Sequence, residues 1–233
     1  MIYIFDVDGT LTPSREKMDH QFRSFFNTFC LVNNVYLVTG SDRGKTVEQI
    51  TEHTYNLCSR VYNCSGNDVW EGNTNIRSKT WKLPSMAEDW LKAQLDNSAF
   101  EHKTGNHVEH RVGTCNFSIV GRNADQHDRK RYIEWDTQYD ERELIAYNFN
   151  RVFPDLEARL GGETGIDITP KGWNKAQILS DFDLNETIWF FGDKTNIGEN
   201  DYDIAVAVAV SPQNRVFTVQ DYKHTWDILY ENI

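Results

Sequence analysis

Short apolar runs alternate with amphipathic segments in the first part of this 233-residue chain. Ile2–Phe5 is an apolar run typical of a buried parallel strand, and residues 16–30 carry apolar side chains at helical spacing. A second apolar run at residues 35–38 precedes a helical segment at 44–51. Because strands and helices alternate with short connections, the pattern predicts a doubly wound, Rossmann-like α/β core with a parallel sheet.

The middle of the chain follows a different pattern. An amphipathic helix is predicted around residues 85–95, and a long charged helix from about 125 to 153. Strands are predicted at Val108–Arg111, 116–120 and 165–169, and the first two follow each other without a helix between them. Consecutive strands of this kind are typical of an antiparallel sheet, so we expect an inserted α+β cap domain.

After the insert the α/β alternation resumes. A helix is predicted from about Asn174, a strand at 187–191, and another apolar run lies at 205–210. The expected organisation is therefore a split core with an inserted cap: residues 1–76 and 173–233 for the core, 77–172 for the cap.

Charge and composition exclude some classes of function. The formal net charge is −11, which disfavours a nucleic-acid binder because such a protein needs a basic face. A few clustered arginines can still attract a small anion. The first residues show neither a signal peptide nor a membrane span, and the four cysteines lack C-x-x-C spacing. We therefore expect a cytoplasmic protein with reduced thiols and no membrane or nucleic-acid partner.

The segment Asp-Val-Asp-Gly-Thr-Leu-Thr at residues 6–12 carries the most chemistry. An apolar strand that ends in two carboxylates places them in the crevice where α/β sheets bind ligands. Asp6 is suited to be the nucleophile of a phosphoryl transfer, and Asp8 to be its general acid and base. Gly9 and Thr10 allow the backbone to turn and offer N–H donors to a phosphate. Without further partners, a solvated acidic turn would explain D-x-D equally well.

This segment resembles the first motif of the haloacid dehalogenase-like phosphotransferases. The resemblance implies a phosphate contact from Thr39 and Ser41, and a basic partner, Lys175, at the start of the helix that re-enters the core. It also implies a late strand that ends in acidic Mg²⁺ ligands. Asp193, together with Asn200 and Asp201, matches this element. The magnesium site expected from the resemblance consists of Asp6, Asp8 and Asp193, because oxygen ligands suit this ion.

Longer segments are similar to the eukaryotic-type phosphomannomutases: DVDGTLTPSR, GSDRGKTVEQ, FSIVGRNADQHDR, DITPKGWNK and FFGDKTNIGENDYDI. The resemblance implies that mannose 1-phosphate and mannose 6-phosphate are interconverted through phospho-Asp6. It also implies Mg²⁺, a hexose bisphosphate as activator, and a homodimer formed through the cap.

The same resemblance implies a set of substrate-binding residues. Guanidinium groups bind phosphate bidentately, and the matching arginines are Arg15, Arg111, Arg122 and Arg129. Asp167 matches a residue that accepts hydrogen bonds from sugar hydroxyls.

Two departures from the family leave other functions open. Thr39 stands where the mutases usually carry glycine, and Gly165 where they usually carry serine. Both favour a Mg²⁺-dependent sugar-phosphate phosphatase, which shares the first half-reaction, whereas the four arginines favour the mutase. A non-catalytic sugar-phosphate-binding protein is a further alternative. This alternative is disfavoured because the residues expected for catalysis are all present: Asp6, Asp8, Lys175 and Asp193.

Overall fold

The computed structural model describes residues 1–183 and 185–232 and divides into two compact units. One unit joins residues 1–79 to residues 173–232, and the other comprises Thr80–Gly172. The boundary predicted after residue 76 falls inside a strand, Thr74–Ser78, which belongs to the first unit.

The elements of the chain fall into three successive groups. The first is β1 (Ile2–Phe5), α1 (His20–Val32), β2 (Asn34–Val38), α2 (Arg43–Ile50), α3 (Glu52–Leu57), β3 (Arg60–Asn63), β4 (Asp68–Glu71) and β5 (Thr74–Ser78). The second is α4 (Ser85–Asn97), β6 (Val108–Arg111), β7 (Thr114–Phe117), α5 (Gln126–Tyr139), α6 (Glu141–Val152), β8 (Leu156–Gly161) and β9 (Gly165–Pro170). The third begins with a 3₁₀ helix (Lys175–Asp181), followed by β10 (Ile188–Gly192), α7 (Tyr202–Ala209), β11 (Arg215–Thr218) and α8 (Tyr222–Glu231).

The first unit, the core, is built on a seven-stranded sheet with the order β11-β10-β1-β2-β3-β4-β5. The strands from β11 to β3 are parallel, and β4 and β5 add an antiparallel edge. Every residue of β1 and β10 is buried, as expected for parallel strands covered on both faces. The predicted doubly wound α/β core is confirmed.

Alternate side chains of β1 pack on opposite faces of this sheet. Phe5 packs edge-to-face on Phe26 of α1, with ring centroids 5.3 Å apart. Ile4 lies in the cluster on the other face, together with Ile204 and Val208 of α7. None of the described helices is long and apolar enough to cross a bilayer.

The second unit, the cap, is built on an antiparallel sheet with the order β6-β7-β9-β8. Its apolar side chains form one cluster with helices α4, α5 and α6; Phe117 and Ile166 from the strands and Phe149 from α6 belong to it. Alternate strand positions, such as Asn116 and Asp167, are polar. The predicted cap with an antiparallel sheet is thus confirmed.

Several elements were left open by the sequence pattern or differ from it. The apolar run at 205–210 belongs to a helix, α7, because its buried residues Ile204, Ala205 and Val208 recur at helical spacing. The helix predicted from 125 to 153 is two helices, separated at Asp140. Strands β3, β4, β8 and β11 and helices α3 and α8 were not predicted.

Candidate active site

Asp6 follows the last residue of β1, at the edge of the sheet where the carboxyl ends of the parallel strands meet. Its backbone N–H donates to the carbonyl of Phe191 in β10, 2.9 Å away. This bond places Asp6 next to Asp193, which directly follows β10. The side chain of Asp6 is buried, so its carboxylate needs partners from the protein.

The nearest partner of Asp6 is the buried ammonium group of Lys175. Lys175 Nζ lies 2.5 Å from Asp6 Oδ1 and 2.6 Å from Asp201 Oδ1. Burial favours the neutral amine, but the attraction of Asp201 and Asp6 outweighs it and raises the pKa of Lys175. Lys175 is therefore a fixed positive charge that holds both carboxylates.

Asp6, Asp193 and Asp201 form a carboxylate cluster, in which one oxygen of each lies within 4.8 Å of the others. Burial raises the pKa of Asp6, although Lys175 opposes this, and raises the pKa of Asp193 to about 6. Asp193 Oδ1 is buried without a hydrogen-bond partner among the described residues. Asp6 and Asp201 thus share the ammonium group of Lys175, and Asp193 adds a third carboxylate with an unpartnered oxygen, an arrangement that fits a Mg²⁺ ion.

Asp8 lies outside this cluster, although it was predicted as a metal ligand with Asp6 and Asp193. Its Oδ1 accepts hydrogen bonds from the backbone N–H of Arg15 at 2.7 Å and from Gln49 Nε2 at 2.9 Å. Burial alone would raise the pKa of Asp8, but these two bonds, together with the charges of Lys45 and Lys175, outweigh it and hold the pKa below its ordinary value. Asp8 is therefore a carboxylate at neutral pH.

Thr39 and Ser41 follow β2 beside this site. Thr39 is buried, and its hydroxyl accepts a hydrogen bond from the backbone N–H of Ser41 at 3.1 Å. Ser41 Oγ donates to Asp8 Oδ2 at 3.4 Å. The structure thus brings Ser41 to Asp8, the candidate general acid and base. The Thr39 hydroxyl instead stabilises the turn between residues 39 and 41.

The predicted substrate arginines fall into both units. Arg15 is in the core, where its side chain is exposed and its backbone N–H donates to Asp8. In the cap, Arg111 Nη2 and Arg122 Nε lie 2.6 and 2.9 Å from the same oxygen of Glu109. Arg129 Nη2 lies 3.8 Å from Glu163.

Three side chains in these arrangements were missed by the sequence-based reasoning: Gln49, Glu109 and Asn116. Gln49 is buried on α2 and reaches Asp8 across 41 residues of sequence. Glu109 joins two predicted arginines, and Asn116 donates to Asp167. Gln49 is the last residue of the segment GSDRGKTVEQ, but nothing in that segment marks it as a partner of Asp8. Glu109 and Asn116 lie in strands, where the available signal was a polar residue within an otherwise structured segment.

Solved structures with the same fold include a haloacid dehalogenase-like hydrolase from Bacteroides thetaiotaomicron. Its TM-score is 0.60 at 11% identity, covering 100% of this chain and 99% of that one. The C-terminal domain of C. albicans trehalose-6-phosphate phosphatase has a TM-score of 0.61 at 16% identity, covering 90% and 73%. The fold is therefore that of the cap-bearing haloacid dehalogenase-like proteins.

Sequence comparison is more specific. The sequence model of the eukaryotic phosphomannomutase family matches residues 22–231 of this chain. A phosphomannomutase of Galdieria sulphuraria is 34% identical, over 86% of this chain and 83% of its own length. A probable phosphomannomutase of Caenorhabditis elegans is 31% identical, over 87% and 85%. The chain belongs to the eukaryotic phosphomannomutase family.

Proposed function

We propose that this protein interconverts mannose 1-phosphate and mannose 6-phosphate through a phospho-Asp6 intermediate. The observation that carries the proposal is the buried Asp6 carboxylate, held by Lys175 and facing Asp193 and Asp201. One oxygen of Asp6 is bound to Lys175, so the other is oriented for attack on phosphorus. Membership of the phosphomannomutase family supports the mutase rather than another phosphoryl transfer.

Asp8 acts as the general base in the first step of the mutase. When phospho-Asp6 donates its phosphoryl group to a sugar hydroxyl, the hydroxyl proton moves to an oxygen of Asp8. Arg15 N–H and Gln49 keep Asp8 ionised and therefore ready to accept it. In the second half-reaction Asp6 attacks the other phosphate of the bisphosphate, and Asp8 returns the proton to the leaving oxygen.

The cofactor proposed for this reaction is Mg²⁺. Asp6, Asp193 and Asp201 supply the carboxylates that would hold it. When bound, the ion neutralises charge on the phosphoryl oxygens and favours the ionised form of Asp6. A hexose bisphosphate is proposed as the activator, because it can phosphorylate Asp6 before the first turnover.

The sugar phosphate is proposed to be bound by Arg15, Arg111, Arg122 and Arg129, with the three cap arginines holding the distal phosphate. Guanidinium groups suit this task because they remain charged and form paired hydrogen bonds with phosphate. The Glu109 carboxylate forms ion pairs with two of these arginines, Arg111 and Arg122. Asp167 is proposed to accept hydrogen bonds from the sugar hydroxyls. Family analogy also supports a cytoplasmic homodimer joined through the cap.

The experiment that tests the proposal is ³¹P NMR of the purified protein with mannose 1-phosphate, Mg²⁺ and a trace of hexose bisphosphate. We expect mannose 6-phosphate to appear with little inorganic phosphate, and Asp6→Asn to abolish this turnover. Accumulation of inorganic phosphate instead would replace the mutase by the sugar-phosphate phosphatase, in which water attacks phospho-Asp6. Binding of the sugar phosphate without any turnover would indicate a non-catalytic binding protein.

A further inference from the structure

Asp167 and Asn116 lie next to each other on the cap sheet, above two glycines. Asn116 in β7 pairs with Asp167 in β9, and Gly161 pairs with Gly165 where β8 and β9 meet. A Cβ atom on Gly161 would overlap the carboxylate of Asp167, and one on Gly165 would lie 2.6 Å from Asn116 Nδ2. The two polar side chains therefore occupy space that exists only because residues 161 and 165 lack side chains.

The amide of Asn116 is bound to Asp167 in one orientation. Its Nδ2 donates to Asp167 Oδ1 at 2.6 Å, and a rotated amide would place oxygen against oxygen. Asn116 is only 3% exposed, and its Oδ1 has no hydrogen-bond partner in the part of the chain that the structure describes. A buried amide with one unsatisfied oxygen carries a cost that a purely structural residue avoids.

Within the same described residues, Asp167 receives its one hydrogen bond from Asn116. One carboxylate oxygen is therefore fixed, and the other, which faces Gly161, is left to accept a hydrogen bond from a ligand. Because a carboxylate with one anchored oxygen cannot rotate freely, the direction in which it accepts a second donor is set by Asn116.

We propose that Asn116 is a positioning residue that sets sugar specificity by fixing Asp167 against one ring hydroxyl of the hexose phosphate. This proposal rests on the proposed function. To that function it adds three residues that orient the Asp167 carboxylate: Asn116, Gly161 and Gly165. Gly165 contributes by leaving room for the amide, so its lack of a side chain is part of the same arrangement.

The first test compares Asn116→Ala with the unaltered protein on hexose phosphates that lack the 2-, 3- or 4-hydroxyl. We expect the variant to lower kcat/KM for the complete substrate about 10- to 100-fold, the range for losing a hydrogen bond to a charged group. The loss should nearly vanish for the one deoxy analogue whose missing hydroxyl Asp167 would bind. An equal loss on every analogue would overturn the proposal, because a structural defect does not depend on the substrate.

The second test uses acid to restore the hydrogen bond. In Asn116→Asp two carboxylates face each other, so at about pH 8 they repel and KM rises relative to the unaltered protein. At about pH 5 a shared proton recreates the bond, and the KM ratio of variant to unaltered protein should fall toward one. Asn116→Leu should show no such recovery. A ratio independent of pH in Asn116→Asp would count against the positioning role.

Two further variants complete the design. Gly165→Ala leaves Asn116 in the sequence but displaces its amide, and should reproduce the dependence on the deoxy analogue. Asn148→Ala removes an exposed asparagine from α6 and should match the unaltered protein on every substrate. If the unaltered protein turns over no hexose phosphate, the proposed function itself fails. Turnover without any effect of Asn116→Ala on sugar preference refutes only the role of Asn116.

Discussion

Gly9 directly follows Asp8 and lies against the carboxylate of Asp193. Its φ is +80°, a conformation that glycine adopts without strain. A Cβ atom at this position would overlap the carboxylate of Asp193. The D-x-D-G segment therefore needs glycine for two reasons: the turn after Asp8 and the close approach of Asp193.

Gly9→Ala should lower kcat about 100-fold, because a misplacement of about 1 Å in catalytic groups has effects of that order. The matched control is Gly198→Ala, since Gly198 also has a positive φ of +87° but no atom within 4 Å of an added Cβ. Steady-state kinetics and urea unfolding of both variants separate the two effects. Both should lose stability, and only Gly9→Ala should lose turnover. Equal turnover of the two variants would mean that Asp193 can move aside.

At the scale of secondary structure, Asp140 decides where one helix of the cap ends and the next begins. Its φ and ψ of 51° and 32° are left-handed, and its N–H donates to the carbonyl of Asp136 in the last turn of α5. The carboxylate of Asp136 accepts hydrogen bonds from the backbone and side chain of Arg142. These contacts end α5 at Tyr139 and start α6 at Glu141.

Asp140→Gly should raise the free energy of unfolding by up to about 1 kcal/mol, because glycine adopts the left-handed conformation without the cost to an L-residue. Asp140→Val should lower it by at least that amount, since a β-branched side chain fits the conformation poorly. Urea denaturation measures both changes. A continuous helix through residue 140 would give the opposite order, because glycine is then the worse residue.

At the scale of the whole molecule, Asp181 links the two sequence segments that build the core. It lies at the end of the 3₁₀ helix after the cap, and its carboxylate accepts hydrogen bonds from Arg77 in β5 at 3.0 and 2.8 Å. Arg60 in β3 adds a contact at 3.4 Å. Burial favours the protonated acid, but the arginine hydrogen bonds outweigh it and lower the pKa of Asp181.

Asp181→Asn should therefore lower the free energy of unfolding at neutral pH by up to about 1 kcal/mol, the range for partly solvent-screened ion pairs. A carboxyl whose pKa is lowered by folding stabilises the protein above its unfolded pKa, which is about 3.9 for aspartate. The difference between the variant and the unaltered protein should stay constant from pH 8 to about pH 5 and shrink at lower pH. Urea unfolding across this range measures it, and a difference that grew on acidification would contradict the assignment.

Much of the fold was predictable because individual strands and helices follow from the local pattern of apolar and polar residues. The fully buried strand β1, the aromatic face of α1 and the polar alternation of β7 and β9 each lie within a few residues of sequence. The pattern of the apolar run at 205–210 left its element open, because valine favours strands and alanine favours helices. Packing against β10 and the 3₁₀ helix selected the helix.

The sequence by itself determined the class of fold, the position of Asp6 at a strand end and the family, because these depend on periodicity and on contiguous motifs. Only the tertiary structure decided which groups meet. Lys175 reaches Asp6 across 169 residues, and Asn116 reaches Asp167 across 51. It also placed Asp201, rather than Asp8, beside Asp6 and Asp193. Such contacts depend on how strands are ordered and registered in a sheet, which no local pattern specifies.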